Sequence, residues 1–206
     1  MTRRLRFLLT PCLAWLGGCA IFGGSGDAPP DKPSNACAIF SEKDDWYPAI
    51  RKSADRWGVP IALQLAFIKQ ESGFDAEAQP PRRKFLGLIP TTRPSSAYGY
   101  SQALDGTWEG YIRATGNRGA DRDDFDDATD FIGWYCHISH QKLGIAKHDA
   151  YNQYLAYHEG QGGYSRRSYA SKDWLLKVAR KVETQTQRYG EQLIGCVVEL
   201  EEEYDD

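Results

Sequence analysis

Leu65-Ala66-Phe67-Ile68-Lys69-Gln70-Glu71-Ser72-Gly73-Phe74 sets an acid at the end of a strongly apolar run. Upstream, Ile61, Leu65 and Ile68 follow Pro60 at near-helical spacing, and proline sits well in the first position of a helix. The stretch from Pro60 to Glu71 therefore reads as an apolar helix. A carboxyl among apolar neighbours loses hydration in its charged form, so its pKa rises. One that keeps its proton near neutral pH can hand it to a leaving oxygen, the task of a general acid. Most glutamates at helix ends are solvated or capping residues, so the surroundings of Glu71 must decide.

Outward from that helix the signals stay helical. Trp46, Ala49, Ile50, Ala54 and Trp57 mark a helix over 45–57, and Gly58 ends it. Residues 79–96, rich in Pro, Arg, Ser and Thr, read as a long loop of the kind that often carries function. Further helices are expected near 99–112, 125–142, 148–158 and 171–192. The last sets Leu175, Val178, Ala179 and Val182 on one face, with Lys177, Arg180 and Lys181 outside, an amphipathic pattern. No alternating run demands a sheet, so the expectation is an all-α single domain over 41–196. The 206-residue chain leaves room for one substantial core. Residues 197–206 are mostly acidic and read as a disordered or solvated tail.

The N-terminal end has a different logic. Arg3, Arg4 and Arg6 precede a short apolar run from Phe7 to Leu16, the layout of a secretory signal over 1–18 and too short for a permanent span. Leu16-Gly17-Gly18-Cys19 resembles the lipobox of bacterial lipoproteins. That likeness implies an acylated Cys19 as the new N-terminus, held by two or three chains because one alone binds marginally. Ala20, rather than Asp, after the cysteine implies the periplasmic face of the outer membrane. Residues 19–40 carry the lipid and a flexible Gly/Ser/Pro tether. Losing the signal takes 25 basic residues to 22 against 28 acidic ones, a net charge of −6, and nothing suggests nucleic-acid binding. Of five cysteines, Cys12 leaves with the signal and Cys19 takes lipid. Cys37 and Cys196 flank the domain, whose termini should lie close together, so in an oxidising compartment they are expected to pair. Cys136 reads as a buried thiol.

Three blocks carry the chemistry, in this order: Glu71-Ser72-Gly73-Phe74, then Ala97-Tyr98-Gly99-Tyr100-Ser101-Gln102-Ala103-Leu104-Asp105-Gly106-Thr107-Trp108, then Tyr154-Leu155-Ala156-Tyr157-His158-Glu159-Gly160. The ordered set resembles the soluble lytic transglycosylase family, which shares its fold with goose-type lysozyme, and spans roughly residues 44–190. The resemblance implies a lysozyme-like helical domain with a catalytic cleft and peptidoglycan glycan strands as substrate. Glu71 would protonate the β-1,4 oxygen between N-acetylmuramic acid and N-acetylglucosamine, without the obligatory second carboxylate of ordinary glycosidases. Once ionised, it would take the C6 hydroxyl proton and leave a 1,6-anhydromuramic end. Gly99 would bring the backbone close to the sugar, and Gln102 and Tyr157 would supply polar contacts. Tyr98 and Tyr100 would be cleft platforms or core; Ser72 would orient Glu71 or cap a turn.

Two departures from the family pattern stand out. Tyr100-Ser101 replaces a common Leu-Met, making that wall more polar. His158-Glu159 replaces Asn-Ala, bringing a titratable imidazole and a second carboxylate. Facing the cleft, Glu159 would permit hydrolysis by a water-activating pair; otherwise it is structural or solvated. His158-Glu159 lacks the second histidine of a zinc protease helix, and His137 with His140 supplies too few ligands for a metal. Neither metal nor cofactor is expected. The partners expected are glycan strands and, through Cys19, the membrane, for a monomeric enzyme. A hydrolytic muramidase and a non-catalytic peptidoglycan-binding lipoprotein are the alternatives.

Overall fold

Seven consecutive residues, Ala62 to Ile68, are buried, which a helix sustains only when neighbours cover it on every side. The computed structural model describes residues 28–82, 84–85, 89–90 and 92–205. Its helices are α1 (Ala36–Glu42), α2 (Trp46–Trp57), α3 (Ile61–Glu71), α4 (Asp105–Thr115), α5 (Phe125–Leu143), α6 (Ala150–Ser165), α7 (Asp173–Leu193) and α8 (Val197–Asp205). The buried run is α3. It lies against α7 on one side and against α2 and α5 on others, while α6 packs on both α5 and α7. The fold is all-α, as expected. A two-residue antiparallel ladder, β1 (Lys84–Phe85) with β2 (Ile89–Pro90), is the small exception, set inside the stretch read as loop.

Buried polar groups lock the helices in register. Ser53 Oγ donates to Gln64 Oε1 and Thr129 O, both at 2.9 Å, and Gln64 Nε2 donates to Val59 O at 3.0 Å. Asp130 accepts from Trp57 Nε1 at 2.7 Å, Tyr111 Oη at 2.7 Å and Arg56 Nη1 at 3.0 Å. These bonds tie α2, α3, α4 and α5 together, and a buried polar group with its partners in place helps fix one packing. An aromatic cluster continues the core: Trp46 stacks on Phe125 at 4.0 Å and on Phe74 at 5.7 Å.

The ends of the domain meet. Cys37 and Cys196 form a disulfide across 159 residues, a closure that stabilises by about 5 kcal/mol in the chain-entropy model. The chain on either side of the bond is ordered, against the expectation of a flexible tether up to residue 40. Asn35 Oδ1 caps α1, Gln192 Oε1 accepts from Ala36 N at 2.9 Å, and Ile39 and Phe40 are buried. The acidic tail is also a helix rather than a disordered or free segment. Glu201 on α8 accepts from Tyr47 Oη at 2.6 Å and pairs with Arg51 Nε at 3.0 Å. The signal, Cys19 and the first part of the tether lie outside the described residues. Among those described, no helix is long and apolar enough to cross a membrane.

Candidate active site

Glu71 is the last residue of α3, and the chain turns sharply after it. Ser72 Oγ donates to Ile68 O at 3.1 Å and accepts from Phe74 N at 3.2 Å. Its hydroxyl is therefore spent on the turn rather than on orienting Glu71. Gly73 and Phe74 follow at φ 65° and 68°. A left-handed conformation is strained for Phe, at about 1–3 kcal/mol. Complete burial of Phe74 against Trp46 holds it there. The turn leads the backbone away and leaves the Glu71 carboxyl at the helix end.

That end opens into a cleft of about 490 Å³. Its deep part is made by Glu71 with Phe131 and Tyr135 of α5, both rings nearly covered. Ser95, Ala97, Gln102, Ala103, Leu104 and Thr107 line one side, and Tyr157, His158, Glu159 and Gly160 of α6 line the other. Gly160, at φ 72° and ψ 157°, breaks helical geometry inside α6 at that edge.

The second block does not present its residues to the cleft as expected. Residues 98–103 form a tight turn closed by a bridge between Tyr98 and Ala103. Gly99 has φ 72°, and a Cβ there would sit 2.0 Å from Arg122 O. Its freedom thus serves a close approach to the Arg122 backbone, not to a sugar. Tyr98 is not a cleft platform: its hydroxyl donates to Asp123 Oδ2 at 2.8 Å, with the Arg122 guanidinium 5.4 Å from the ring. Tyr100 is core, 5.7 Å from Trp46 and 5.5 Å from Phe125. Ser101 is fully buried, and its carbonyl accepts from Tyr157 Oη at 2.6 Å. Of Tyr98 to Gln102, only Gln102 lines the cleft. Its Nε2 donates to Ala78 O at 2.8 Å and Gly99 O at 2.9 Å. The family-like spacing therefore builds a wall, with one side chain reaching the opening.

Tyr157 links the two sides. Its ring packs on Tyr135 at 5.0 Å and on Phe67 at 5.2 Å, while its hydroxyl pins the turn that carries Gln102. Tyr154, one turn earlier on α6, is buried against Phe67 at 5.4 Å. It belongs to the third block but was not singled out from the sequence; its i, i+3 relation to Tyr157 was the available signal. Phe131 and Tyr135 were likewise missed, because an apolar cleft floor and an apolar core have the same composition.

The electrostatics separate two carboxyls. Glu71 is half-buried as a residue, but Oε1 is wholly covered and has no hydrogen-bond partner. Burial raises its pKa from 4.5 to about 7, and the Tyr154 hydroxyl opposes that rise. Glu159 lies in the same cleft with its pKa lowered to about 2, first through the Lys172 ammonium and then through Ser168. Lys172 Nζ lies 2.7 and 2.9 Å from its two oxygens, and Ser168 Oγ also donates to it. The Glu159 side chain is only 5% exposed, and burial pushes its pKa up, but the hydrogen bonds from Lys172 and Ser168 outweigh that rise. His158 Nδ1 is 3.1 Å from Glu159, and its exposed ring meets Trp174 at 5.2 Å.

The site thus offers one carboxyl able to hold or release a proton near neutrality, and one fixed carboxylate balanced by a cation. Among the described residues no group of three or more His, Cys, Asp and Glu could hold a metal ion. No curated protein matches the chain. Residues 7–196 match the transglycosylase SLT domain, so that the protein belongs to the transglycosylase SLT domain family.

Proposed function

We propose that this protein is a peptidoglycan lytic transglycosylase in which Glu71 serves as acid and then as base. The observation that carries the reading is a carboxyl at the deep end of a cleft, with a covered, unpartnered oxygen and a pKa near 7. Protonated Glu71 donates to the β-1,4 oxygen as the bond from C1 of N-acetylmuramic acid to that oxygen breaks. The N-acetylglucosamine alcohol leaves. Glu71, now ionised, takes the C6 hydroxyl proton as O6 bonds to C1, giving the 1,6-anhydro end and returning the carboxyl to its starting state. A pKa near the working pH suits a group that must give and then accept. Gln102, its amide nitrogen already engaged, offers its amide oxygen to sugar donors.

Hydrolysis by a water-activating pair of carboxyl groups would need a second, free carboxylate beside Glu71. Glu159 is the cleft's other carboxylate, and its oxygens are occupied by Lys172 and Ser168. That arrangement favours the anhydro product over the muramidase alternative. Mass spectrometry of muropeptides released from sacculi tests it: anhydro ends, one water lighter than reducing ends, are expected, and a digest of reducing ends alone refutes it. A non-catalytic binding role requires that Glu71→Gln leave sacculus solubilisation unchanged.

The proposed site of action is the periplasmic face of the outer membrane, for a monomer anchored by acylated Cys19. The arginine-flanked apolar segment and its Gly-Gly-Cys end support this reading. Labelled palmitate should enter the wild-type chain and not Cys19→Ala; equal labelling of both contradicts the anchor.

A further inference from the structure

Trp174 breaks the pattern set by the other aromatic residues. It is 55% exposed, whereas every other described tryptophan is buried or half-buried. An indole left in water forfeits the burial that makes large aromatic side chains stabilising, so its exposure asks for a reason.

The ring is nonetheless held in place. Trp174 lies in the first turn of α7, between Lys172, bound to Glu159, and Leu175, which is fully buried. Leu175 N donates to Lys172 O at 2.8 Å, which closes the turn. The indole meets the His158 imidazole at 5.2 Å with the rings 76° apart. His158 and Glu159 both line the cleft that holds Glu71. The indole is therefore an outward-facing surface joined to the cleft edge by its contact with His158, on a turn whose Lys172 is bound to Glu159.

We propose that Trp174, supported by His158, is an outlying sugar platform that extends the cleft past its α6 edge and stacks on the apolar face of a pyranose ring. The inference rests on the reading of the cleft as a glycan site. A pyranose shows C–H groups on its faces and polar groups around its rim, which suits a single flat indole amid polar neighbours. Trp174 has such neighbours in the exposed Ser171, Asp173 and Lys177 and the half-buried Lys172. A protein partner would call for a broad apolar patch, and the residues around this indole do not make one.

The test uses Glu71→Gln protein, so that ligand survives, and β-1,4 oligomers of N-acetylglucosamine as the probe in calorimetry. Adding Trp174→Ala should weaken a six-sugar oligomer by about tenfold, the scale of one aromatic contact, and leave the two-sugar unit much less affected. Trp174→Phe should recover most of the loss, and thermal melting should hardly move, since the side chain is exposed. Equal six-sugar affinity with and without Trp174 overturns the platform and leaves the cleft reading standing. A failure of Glu71→Gln protein to bind any oligomer overturns both.

Discussion

Glu71 and Glu159 line one cleft, and their pKa values are shifted in opposite directions. The first has its pKa raised to about 7 by burial, and the second has its pKa lowered to about 2 by Lys172 and Ser168. Both side chains are largely covered, so accessibility alone does not tell them apart. What differs is company. A covered carboxyl without a cation keeps its proton; a covered carboxyl gripped by an ammonium and a hydroxyl gives it up. On the proposed reading Glu71 is the acid because, among the described residues, no cation pairs with it at the end of α3, whereas Glu159 is held ionised by Lys172, between α6 and α7.

The largest effect should come from the acid itself. Glu71→Gln should slow sacculus solubilisation by about 10²–10⁴-fold, the usual worth of a general acid; the assay is turbidity loss. The same substitution should reveal what the raised pKa costs. Between about pH 4.5 and 7 the folded chain holds a Glu71 proton that the unfolded chain has released, so stability falls as pH rises through that window. Glu71→Gln should therefore be more stable than the parent at pH 8, by about 2–3 kcal/mol, with the gain vanishing near pH 4 in urea unfolding.

Removing the cation strikes the other side of the comparison. Lys172→Met should cost about 1–2 kcal/mol at pH 7, less than a deeply buried pair because the ammonium is 38% exposed. Glu159 has a depressed pKa, so its contribution is present above about pH 4.5 and lost as pH falls towards 2. The gap between Lys172→Met and parent should close over that range in the same urea experiment. Smallest of all, Glu159→Gln should keep solubilisation within about threefold of the parent, because in the proposed mechanism the group takes no part in proton transfer. A loss as deep as that of Glu71→Gln would erase the distinction.

Much of this was legible in the residues, for reasons that also set the limits. The run Leu65–Ile68 is apolar at every position, and behind Pro60, with Ile61, Leu65 and Ile68 at near-helical spacing, it reads as a helix buried on all sides; Glu71 at its end followed directly. Cys37 and Cys196 could be paired because domain ends tend to meet. Helices α1 and α8 could not be read: seven and nine residues are too few to show a period. They exist through distant partners, Gln192 for one and Tyr47 with Arg51 for the other. The second block misled for a local reason. Positive φ at Gly99 and Gln102 folds it into a turn, which sends Tyr98 and Tyr100 away from the cleft and brings Gln102 to it. No periodicity survives such a turn. The fate of Glu159 depended on Lys172, thirteen residues on, and spacing across a kinked helix and a loop does not announce an ion pair.

The proposed chemistry requires a proton held at position 71. Carbon-13 NMR titration of the Glu71 carboxyl in the folded, full-length protein reads it directly. An apparent pKa near 7 is the predicted result. A titration near 4.5 would mean that the carboxyl is ionised at neutral pH, and would contradict its role as the acid.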